Sequence, residues 1–490
     1  GYISLQPQLI AIMFRSRPFS RRYPALLLLA VALSATLSSC QSMPEGLSVT
    51  GPVRSAERLE ILRDQTYQNA QGTDLVDQEI FDEAFRLIAQ ARRLVVVDMF
   101  LFNAFAGEDS YRPLSDQLTK ALISAKQRHP DMPVVMITDP FNTLYGGLRA
   151  PELEQLRAAG VDVVLTDIDR LPASNPAWTG IWQLCCSYLG NNTEGGWLPN
   201  PVGPGKITLR SYLHLANFRA NHRKTLIVDN GDDWRALVTS ANPHDASSRH
   251  HNSAIVFSGA AALDLLQTER AAALVSGYTA AEDWPTAPDA AGNPDLPHIQ
   301  ILTEGAIERS LLELVASAQS GDQLDMEMFY LSSRPVIEAL IDAQARGVQV
   351  RAILDANRDA FGREKNGIPN RQAAWDLHEQ GVAVRWCATT GEQCHRKWIR
   401  LERSQGITEV ISGSANFTRR NLHDLNLETS VRLTTQADNP EIVAMRAGFE
   451  KAWRNSDGGI HSLPYSAFAD NSYWRYGLYR FMEASGLSTF

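Results

Sequence analysis

The sequence predicts an α/β protein of two homologous α/β/α halves, each built around a mixed, mainly parallel sheet. Two observations lead to this fold class. Apolar, strand-like segments alternate with helical stretches such as 115–129 and 336–346, the pattern of strands joined by crossover helices. In addition, five blocks of sequence recur in the same order later in the chain. We therefore expect the halves to pack as a pseudo-twofold pair with one shared active site.

The internal repeat consists of matched strand, helix and motif blocks. Three pairs show it most clearly: VVVDMFLFN (95–103) with LDMEMFYLS (324–332), VVMITDPFN (134–142) with VRAILDANR (350–358), and LEQLRAAGVDVVL (153–165) with AWDLHEQGVAVRW (374–386). The second pair reads as an apolar strand that ends in an acid, and the third as a helix, a glycine stop and a strand. The last two blocks are a His-x-Lys motif and a Ser-Ala-Asn segment, each present twice.

The repeat and the composition together divide the chain. We expect a lipoprotein-type signal peptide at 13–40, a first half at 50–275, a linker at 276–297 and a second half at 298–490 that ends in an aromatic tail. The first half carries about 48 extra residues, at about 166–218, between its matched glycine and its motif. Their Gly, Pro and Asn content predicts a loop that covers the cleft as a lid or substrate wall, with an unrelated surface elaboration as the alternative.

The N-terminal segment has the features of a secretion signal. Four arginines precede an apolar run at 24–37, which is too short to span a membrane, and LSSC follows and ends at Cys40. LSSC resembles a bacterial lipobox, so Cys40 is predicted to carry a lipid anchor. Because Gln41 follows the cysteine, the resemblance favours the bacterial cell envelope at the periplasmic face of the outer membrane. A plain secretory signal with an incidental cysteine is the alternative.

Composition and charge limit the class of protein. The chain is 44% hydrophobic and 21% charged, which is typical of globular proteins and excludes a disordered chain. Its net charge of −9 provides no general positive field to attract nucleic acid, although a local basic cleft remains open.

The two His-x-Lys motifs, His222 with Lys224 and His395 with Lys397, predict the chemistry. Residues two apart on a strand face the same side, so each pair should project together into the cleft. An imidazole can attack phosphorus or transfer a proton near neutral pH, and an ammonium can neutralise a phosphate oxygen. A single motif would fit a solvated strand edge. Two motifs at matched places of a repeat indicate a site that cleaves phosphodiesters.

These motifs resemble those of the phospholipase D superfamily, HxKxxxxD followed by a Ser-x-Asn segment, over roughly residues 80–455. The second copy departs from the pattern by ending in Glu402 instead of Asp. The resemblance implies catalytic roles for His222, Lys224, Asp229, His395, Lys397 and Glu402, and phosphate-binding roles for Ser240, Asn242, Ser414 and Asn416.

The resemblance also implies a mechanism. In this superfamily one histidine forms a phosphohistidine, the other protonates the leaving alcohol, and no metal or other cofactor is needed. An acid about a dozen residues after the Asn usually orients the histidine. Glu428 fits this role in the second half, whereas the first half offers Asn252 and Ser253 instead, or the nearby Asp245 out of register. We therefore expect His395, oriented by Glu428, to be the nucleophile and His222 to be the acid and base.

The function expected from this resemblance is that of a phospholipid phosphodiesterase or phosphatidyltransferase, of phospholipase D or cardiolipin synthase type. The alternatives are a nuclease of the same superfamily and a catalytically silent envelope scaffold. Both motifs and both Asn residues are intact, which disfavours the scaffold, and the acidic chain disfavours the nuclease. Hydrolysis or transfer depends on which alcohol reaches the intermediate, and cardiolipin is our best single guess for a product.

The expected partners follow from these predictions. The substrate is a phospholipid at a bilayer surface to which the enzyme is lipid-anchored, and nucleic acid is not expected. Both motifs lie in one chain, so a monomer suffices. The aromatic tail at 465–482 is expected to dock on its own domain, with membrane contact as the alternative.

Four cysteines remain beyond the anchor, and their spacing fits no zinc site, so no metal is expected. Cys387 and Cys394 could close a short loop that ends beside His395. The neighbours Cys185 and Cys186 are awkward to bridge to each other, and either could be a buried free thiol.

Overall fold

The computed structural model describes residues 42–105, 111–288, 292–360, 363–488 and 490. The predicted signal peptide at 13–40 and its Cys40 lie outside the described residues. The strands are β1 (Arg54–Ser55), β2 (Leu59–Gln68), β3 (Asp74–Asp77), β4 (Leu94–Met99), β5 (Val134–Thr138), β6 (Asp162–Leu165), β7 (Leu198–Pro199), β8 (Lys206–Ile207), β9 (Lys224–Asp229), β10 (Trp234–Thr239), β11 (Asn252–Ser258), β12 (His298–Thr303), β13 (Gln323–Met328), β14 (Gln349–Leu354), β15 (Asp359–Ala360), β16 (Arg363–Glu364), β17 (Ala383–Cys387), β18 (Lys397–Glu402), β19 (Ile407–Gly413), β20 (Thr429–Gln436) and β21 (Ser462–Pro464).

Helices lie between many of these strands. The α-helices are α1 (Ile80–Gln90), α2 (Leu114–Arg128), α3 (Pro151–Ala158), α4 (Pro176–Cys185), α5 (Leu209–Leu215), α6 (Ala260–Val275), α7 (Gly305–Ser317), α8 (Arg334–Ala345), α9 (Asn370–Glu379), α10 (Arg419–Leu422), α11 (Pro440–Arg454) and α12 (Tyr473–Ser485). Short 3-10 helices occur at Pro140–Thr143, Ile168–Arg170, Asp245–Ser247, Thr279–Asp283 and Tyr465–Ala467. No α-helix in the described ranges is long and apolar enough to cross a membrane.

Two large sheets have corresponding strand orders. One runs β3-β2-β11-β10-β9-β4-β5-β6, and the other runs β1-β12-β20-β19-β18-β13-β14-β17-β21. The run from β2 to β6 in the first sheet corresponds strand for strand to the run from β12 to β17 in the second. The predicted α/β class is confirmed, and the repeated blocks of the sequence occupy equivalent strands of the two sheets.

The prediction that the sheets are mainly parallel is wrong. Parallel pairing is confined to β4-β5-β6 and β13-β14-β17, and the other neighbours in the two sheets are antiparallel. Crossover helices join the parallel neighbours, whereas β9 turns directly into β10, and β18 into β19. The first turn contains Asn230-Gly231, a strong hairpin signal in the sequence.

A shared core lies between the two sheets. It joins first-half residues such as Ile227 and Ile255 to second-half residues such as Trp398 and Val431. Alternate residues of the same strands, such as Leu226, face the opposite side, where α1, α2 and α3 cover the first sheet. The helices α7, α8 and α9 cover the second sheet in the same way. Burying each such side chain stabilises the fold by about 1.5–3 kcal/mol, so the two halves stabilise one another.

Candidate active site

Each His-x-Lys motif lies where a strand begins at the interface of the two halves. His222 precedes β9, whose first residue is Lys224, and His395 precedes β18, whose first residue is Lys397. Each lysine Nζ donates to the backbone oxygen of its own histidine at 2.7 Å. An ammonium has three donors, so two remain for a ligand. The arginine between them, Arg223 in the first motif, points to the other side and is fully buried, as the spacing predicts.

Backbone pairing crosses between the halves at both motifs. His222 N donates to Leu427 O at 2.8 Å, and Leu427 N donates to Ala220 O at 3.0 Å. In the second motif, His395 N donates to His251 O at 2.9 Å. Each catalytic loop is therefore hydrogen-bonded to the opposite half. The residue after the backbone partner lies against the imidazole: Glu428 follows Leu427, and Asn252 follows His251.

Glu428 consequently orients His222, not His395 as the sequence led us to expect. His222 Nδ1 lies 2.8 Å from Glu428 Oε1 and 3.1 Å from Oε2. Ser414 Oγ and Asn421 Nδ2 also donate to this carboxylate, through very short hydrogen bonds. The predicted assignment was wrong because the acid and its histidine lie in different halves and meet only through the crossed loops.

Asn252 takes the corresponding place beside His395. Its Oδ1 lies 3.1 Å from His395 Nδ1 and accepts from Ser240 Oγ at 2.9 Å. An amide oxygen accepts the Nδ1 proton as a carboxylate does, but it carries no charge to stabilise an imidazolium. His250 and His251 are buried beside this histidine. The His250 and His395 ring centroids are 6.0 Å apart.

The serines and asparagines predicted to bind phosphate separate into two groups. The Ser240 and Ser414 hydroxyls donate to Asn252 and Glu428, so they support the histidines and do not point at a phosphate, which corrects their predicted role. Asn242 Oδ1 accepts from Leu101 N at 3.3 Å. Asn416 is buried, and its Oδ1 has no hydrogen-bond partner among the residues that the structure describes.

Asp229 and Glu402, predicted as catalytic, lie at the far ends of β9 and β18. A strand rises about 3.3 Å per residue, which puts the α-carbon of Asp229 roughly 16 Å from that of Lys224. Asp229 Oδ1 accepts from Gly231 N at 2.7 Å in the turn to β10, and Glu402 Oε1 pairs with Arg446 Nη1 at 2.6 Å. These acids fix strand ends, and a catalytic role is excluded by their distance from the imidazoles.

Two acids that we did not predict as site residues position the catalytic loops. Asp139 Oδ2 accepts from the backbone N of Asn221 at 2.6 Å, and Asp355 Oδ2 accepts from that of Cys394 at 2.8 Å. Each donor is the residue just before a catalytic histidine. Burial raises the pKa of Asp139 to about 7 and that of Asp355 to about 6. Their matched places at two strand ends of the repeat were the signal that could have revealed them.

An aromatic ring covers each histidine on the same side of the site. The ring centroids of Phe100 and His222 are 4.9 Å apart, and those of Phe329 and His395 are 4.8 Å apart. The lysine of each motif lies 5.3 Å and 5.1 Å from the same phenyl rings. Both phenylalanines follow a Met in the first repeated block, so the repeat also marked this pair. The rings lower the local polarity and limit where an imidazole can turn.

Burial decides the charge of the site. It lowers the pKa of His222 to about 4, which Glu428 opposes and Lys224 reinforces. It also lowers the pKa of Lys224 to about 7. Burial, with neighbouring Lys397, holds the pKa of His395 well below its usual range, and burial with Lys224 does the same for Lys397. Both imidazoles are therefore neutral near pH 7, with Nδ1 donating and the Nε2 lone pair available.

The cysteines form two disulfides, Cys387–Cys394 and Cys185–Cys186. The second pairing corrects our expectation that adjacent cysteines are awkward to bridge. In the described part of the chain, one group of potential metal ligands has its atoms within 4.8 Å of one another: His251, Cys387 and Cys394. Both sulfurs are used in the disulfide, so this group provides no thiolate ligand.

Comparisons with known proteins show a family match in the second half of the chain and a similar fold over most of the chain. Residues 311–453 match the family described as "Cardiolipin synthase, PLD-like domain". The resemblance to the phospholipase D superfamily that the two motifs predict is thereby confirmed. A search of the curated proteins found no match.

One solved structure has a similar fold, and two others match more weakly. Phosphatidylserine synthase from Haemophilus influenzae Rd KW20 is similar over 92% of this chain and 98% of its own, with 12% identity and a TM-score of 0.55. Polyphosphate kinase from Porphyromonas gingivalis matches over 88% of this chain and 54% of its own, with 13% identity and a TM-score of 0.43. Nuc, a phospholipase D family member from Salmonella typhimurium, matches over 34% and 97%, with 21% identity and a TM-score of 0.26.

Proposed function

We propose that this protein is a phospholipid phosphodiesterase or phosphatidyltransferase that works through a phosphohistidine intermediate. The observation that carries the proposal is the pair of neutral imidazoles at the interface of the halves, His222 and His395. Each donates Nδ1–H to a fixed oxygen and keeps Nε2 free. One Nε2 can attack phosphorus while the other serves the leaving oxygen.

His222 is the nucleophile in this proposal, the reverse of the assignment expected from the sequence. Attack forms a bond from Nε2 to phosphorus and places a positive charge on the ring. The Glu428 carboxylate, 2.8 Å from Nδ1, stabilises that charge, whereas the neutral Asn252 beside His395 cannot.

His395 then serves as acid and base. The phosphodiester anion raises the pKa of His395 on binding, because a nearby negative charge stabilises imidazolium. The bond from phosphorus to the leaving oxygen breaks, and that oxygen takes the proton from His395. Water or a second alcohol next gives its proton back to His395 and attacks phosphorus, which frees His222. Lys224 and Lys397 neutralise the non-bridging oxygens throughout.

The substrate class is supported by two observations. The matched family is described as a cardiolipin synthase domain, and the chain has a net charge of −9, which disfavours a polyanion such as nucleic acid as the substrate. Cardiolipin is the product that we propose, and hydrolysis differs from transfer only in whether water or an alcohol attacks the intermediate. A nuclease is the alternative, and the following experiment distinguishes it from a phospholipid-acting enzyme.

The purified enzyme is incubated with mixed phospholipids and, separately, with single- and double-stranded nucleic acid, and the products are identified by mass spectrometry. We expect phosphatidic acid or an exchanged phospholipid from the lipid arm and intact nucleic acid in the other. Release of nucleotides with untouched lipid would replace this proposal by the nuclease. His222→Ala and His395→Ala are the matched inactive controls.

A p-nitrophenyl phosphodiester tests the roles of the two histidines, because p-nitrophenol leaves without a proton from an acid. We expect His395→Ala to retain a burst of p-nitrophenol equal to the enzyme concentration and to carry the phosphoryl group on His222. We expect no burst from His222→Ala. Phosphate mapped to His395 in the wild-type enzyme would reverse the assignment.

We also propose that Cys40 anchors the protein by a lipid in the cell envelope, at the periplasmic face of the outer membrane. The LSSC sequence after a short apolar segment supports this proposal. Metabolic labelling with a radioactive fatty acid in a bacterial host tests it. Label should enter the wild-type protein and be absent from Cys40→Ala. Equal labelling of the two would contradict the anchor.

A further inference from the structure

Exposed apolar side chains are concentrated in two segments. Of the sixteen large hydrophobic residues that are exposed in the described part of the chain, ten lie at 184–209 or 473–487. All five aromatic residues among them belong to these segments: Tyr188 (73% exposed), Trp197 (64%), Tyr473 (81%), Trp474 (75%) and Phe481 (59%). We call the two segments together the aromatic rim. Scattered exposed residues are normal in soluble proteins, but a concentration of this kind indicates an interaction surface.

Both parts of the aromatic rim lead to the active site. The first part belongs to the insertion, whose last residues run directly into the His222 loop. The second part ends near Phe490, whose ring centroid is 6.2 Å from that of Tyr330. Tyr330 in turn contacts Phe329, the ring that covers His395. The rim therefore approaches the site from both halves.

Arg420 links the start of the insertion, which carries the first part of the rim, to the end of the second part. Its Nε donates to Ser174 Oγ at 2.9 Å, at the start of the insertion, and its Nη2 donates to Gly486 O at 3.2 Å, at the end of α12. The next residue, Asn421, donates to Glu428, which holds His222. The start of the insertion and the end of α12 thus meet at Arg420, one residue away from the hydrogen bonds of the catalytic site.

The charges of the aromatic rim favour an anionic surface. Lys206, Arg210 and Arg480 make no ion pair with an acid among the described residues. Glu483 of α12 is turned inward, where it accepts from Ser332 Oγ at 2.7 Å. Glu194 is the exposed acid of the two segments, against Lys206, Arg210 and Arg480, so this surface is net basic although the chain as a whole has a charge of −9. Tryptophan and tyrosine beside arginine and lysine are the residues that settle at the interface of an anionic bilayer.

We propose that the aromatic rim is a bilayer-docking surface that sets the mouth of the active site against an anionic phospholipid membrane. Aromatic side chains enter the headgroup layer, and the unpaired basic side chains contact lipid phosphates. The inference rests on the proposed function and deepens it. A docked enzyme would hold its site at the membrane surface, so the phosphodiester of a lipid could reach the two histidines while the acyl chains stay close to the bilayer. The membrane binding itself does not depend on which reaction follows.

Vesicle binding by the full chain tests the surface. Cys40→Ala is used throughout so that no attached lipid contributes. The probes are vesicles of phosphatidylglycerol with phosphatidylcholine and vesicles of phosphatidylcholine alone, followed by co-sedimentation. We expect binding to the anionic vesicles, weakened about tenfold or more by Tyr473→Ala with Trp474→Ala and by Trp197→Ala. Val443→Ala, which truncates an exposed apolar residue outside the rim, is the matched control and should bind as the parent does.

Unchanged vesicle binding in the rim variants would overturn the proposal. Analytical ultracentrifugation of the same proteins tests whether a second copy of this chain, and not a bilayer, binds to the surface. A dimer that the rim variants abolish, with no vesicle binding by the parent, would assign the surface to self-association and also overturn the proposal. The substituted side chains are largely exposed, so circular dichroism should show that all variants fold.

Two lipid substrates keep this proposal separable from the proposed function. Short-chain phosphatidylglycerol below its critical micelle concentration should be turned over equally by the parent and the rim variants, whereas turnover of vesicle lipid should fall with vesicle binding. No lipid turnover by the parent in either form would contradict the proposed function and leave the vesicle-binding result to decide the docking surface. Equal loss on both substrates would show that the rim variants damage the site, which would count against a docking role.

Discussion

The two imidazoles of the site differ in the group that holds Nδ1. His222 faces the Glu428 carboxylate, and His395 faces the Asn252 amide, although the serine beside each support is the same residue type. The carboxylate favours a positively charged ring, and the amide leaves the ring neutral until an anion arrives. A small chemical difference at equivalent positions therefore gives the two histidines separate roles.

Replacing the carboxylate by an amide tests this difference. We expect Glu428→Gln to lower kcat by about 100-fold or more, because the charge that stabilises phosphohistidine is lost while the hydrogen bond can remain. Glu428 raises the pKa of His222, so its removal should also move the acidic limb of the pH profile to lower pH. Kinetics over a pH series measure both effects. An unchanged acidic limb would show that the contact with Glu428 does not raise the pKa of His222.

The pH dependence of the wild-type enzyme follows from two buried groups. His222 must be neutral to attack, and its pKa of about 4 sets the acidic limb of kcat/KM. Lys224 must be charged to bind phosphate, and its pKa of about 7 means that binding weakens as the pH rises through 7. With the p-nitrophenyl phosphodiester, whose leaving group needs no proton from His395, we expect a bell with limbs near these values. Activity that keeps rising above pH 8 would exclude Lys224 as a required cation.

At the residue scale, the sequence was sufficient to find His222, Lys224, His395 and Lys397, because spacing within a strand decides which side chains share a face. It was also sufficient to single out Glu428. It could not reveal which histidine that acid supports, because a contact between halves depends on tertiary packing. Nor could the motif separate acids at the far end of a strand, such as Asp229, from acids at the site.

The arginine inside each motif supports the strands that present the histidines. Arg223 is fully buried, with Nη2 2.7 Å from Glu304 Oε1 and Nη1 3.4 Å from Glu269 Oε2. Its counterpart Arg396 bonds Glu327 Oε2 at 2.7 Å and the backbone oxygen of Asn252 at 3.2 Å. On one face of the strand the histidine and lysine of the motif line the active site. On the other face the arginine stabilises the fold.

Removing this cation should destabilise the protein strongly. Arg223→Met leaves Glu269 and Glu304 buried without their partner, which costs about 3–5 kcal/mol in the free energy of unfolding. Urea denaturation measures the loss. Arg149→Ala, which breaks an exposed pair with Glu154, is the matched control and should leave the urea midpoint close to that of the wild type. Equal stability of the two variants would contradict a structural role for the buried network.

Strand order was partly readable from the sequence. Helical stretches between the early strands of each half predicted parallel neighbours, and β4-β5-β6 and β13-β14-β17 are parallel. The later strands are linked by short turns, and hairpin turns force antiparallel pairing. The Asn230-Gly231 turn was visible in the sequence, but the pairing of β11 with β2 joins segments nearly 200 residues apart, which no local pattern specifies.

The two halves form one interlocked unit. β1, from the N-terminal side of the first half, pairs with β12 in the second sheet, and the core between the sheets contains residues of both. The hydrogen bonds to both histidines also cross between the halves. Neither half therefore contains a complete site or a fully covered sheet face.

Separating the halves within 276–297 tests this dependence. We expect a chain of residues 42–288 and a chain of residues 289–490 to be inactive when each is expressed alone, because each lacks the group that holds its histidine. Expressed together, they should recover measurable activity through the shared core. Turnover assays on the purified fragments and on the co-expressed pair give the result. Activity of a single fragment at the wild-type level would contradict the crossed support.

The crossed support has a consequence for the history of such a chain. If the halves arose by duplication, each copy first carried its own histidine and its own supporting acid. Once His222 relied on Glu428 and His395 relied on Asn252, deletion of either copy would remove a part of the other copy's chemistry. The two halves are therefore tied to one another by the chemistry of the site as well as by packing, and neither can be lost separately.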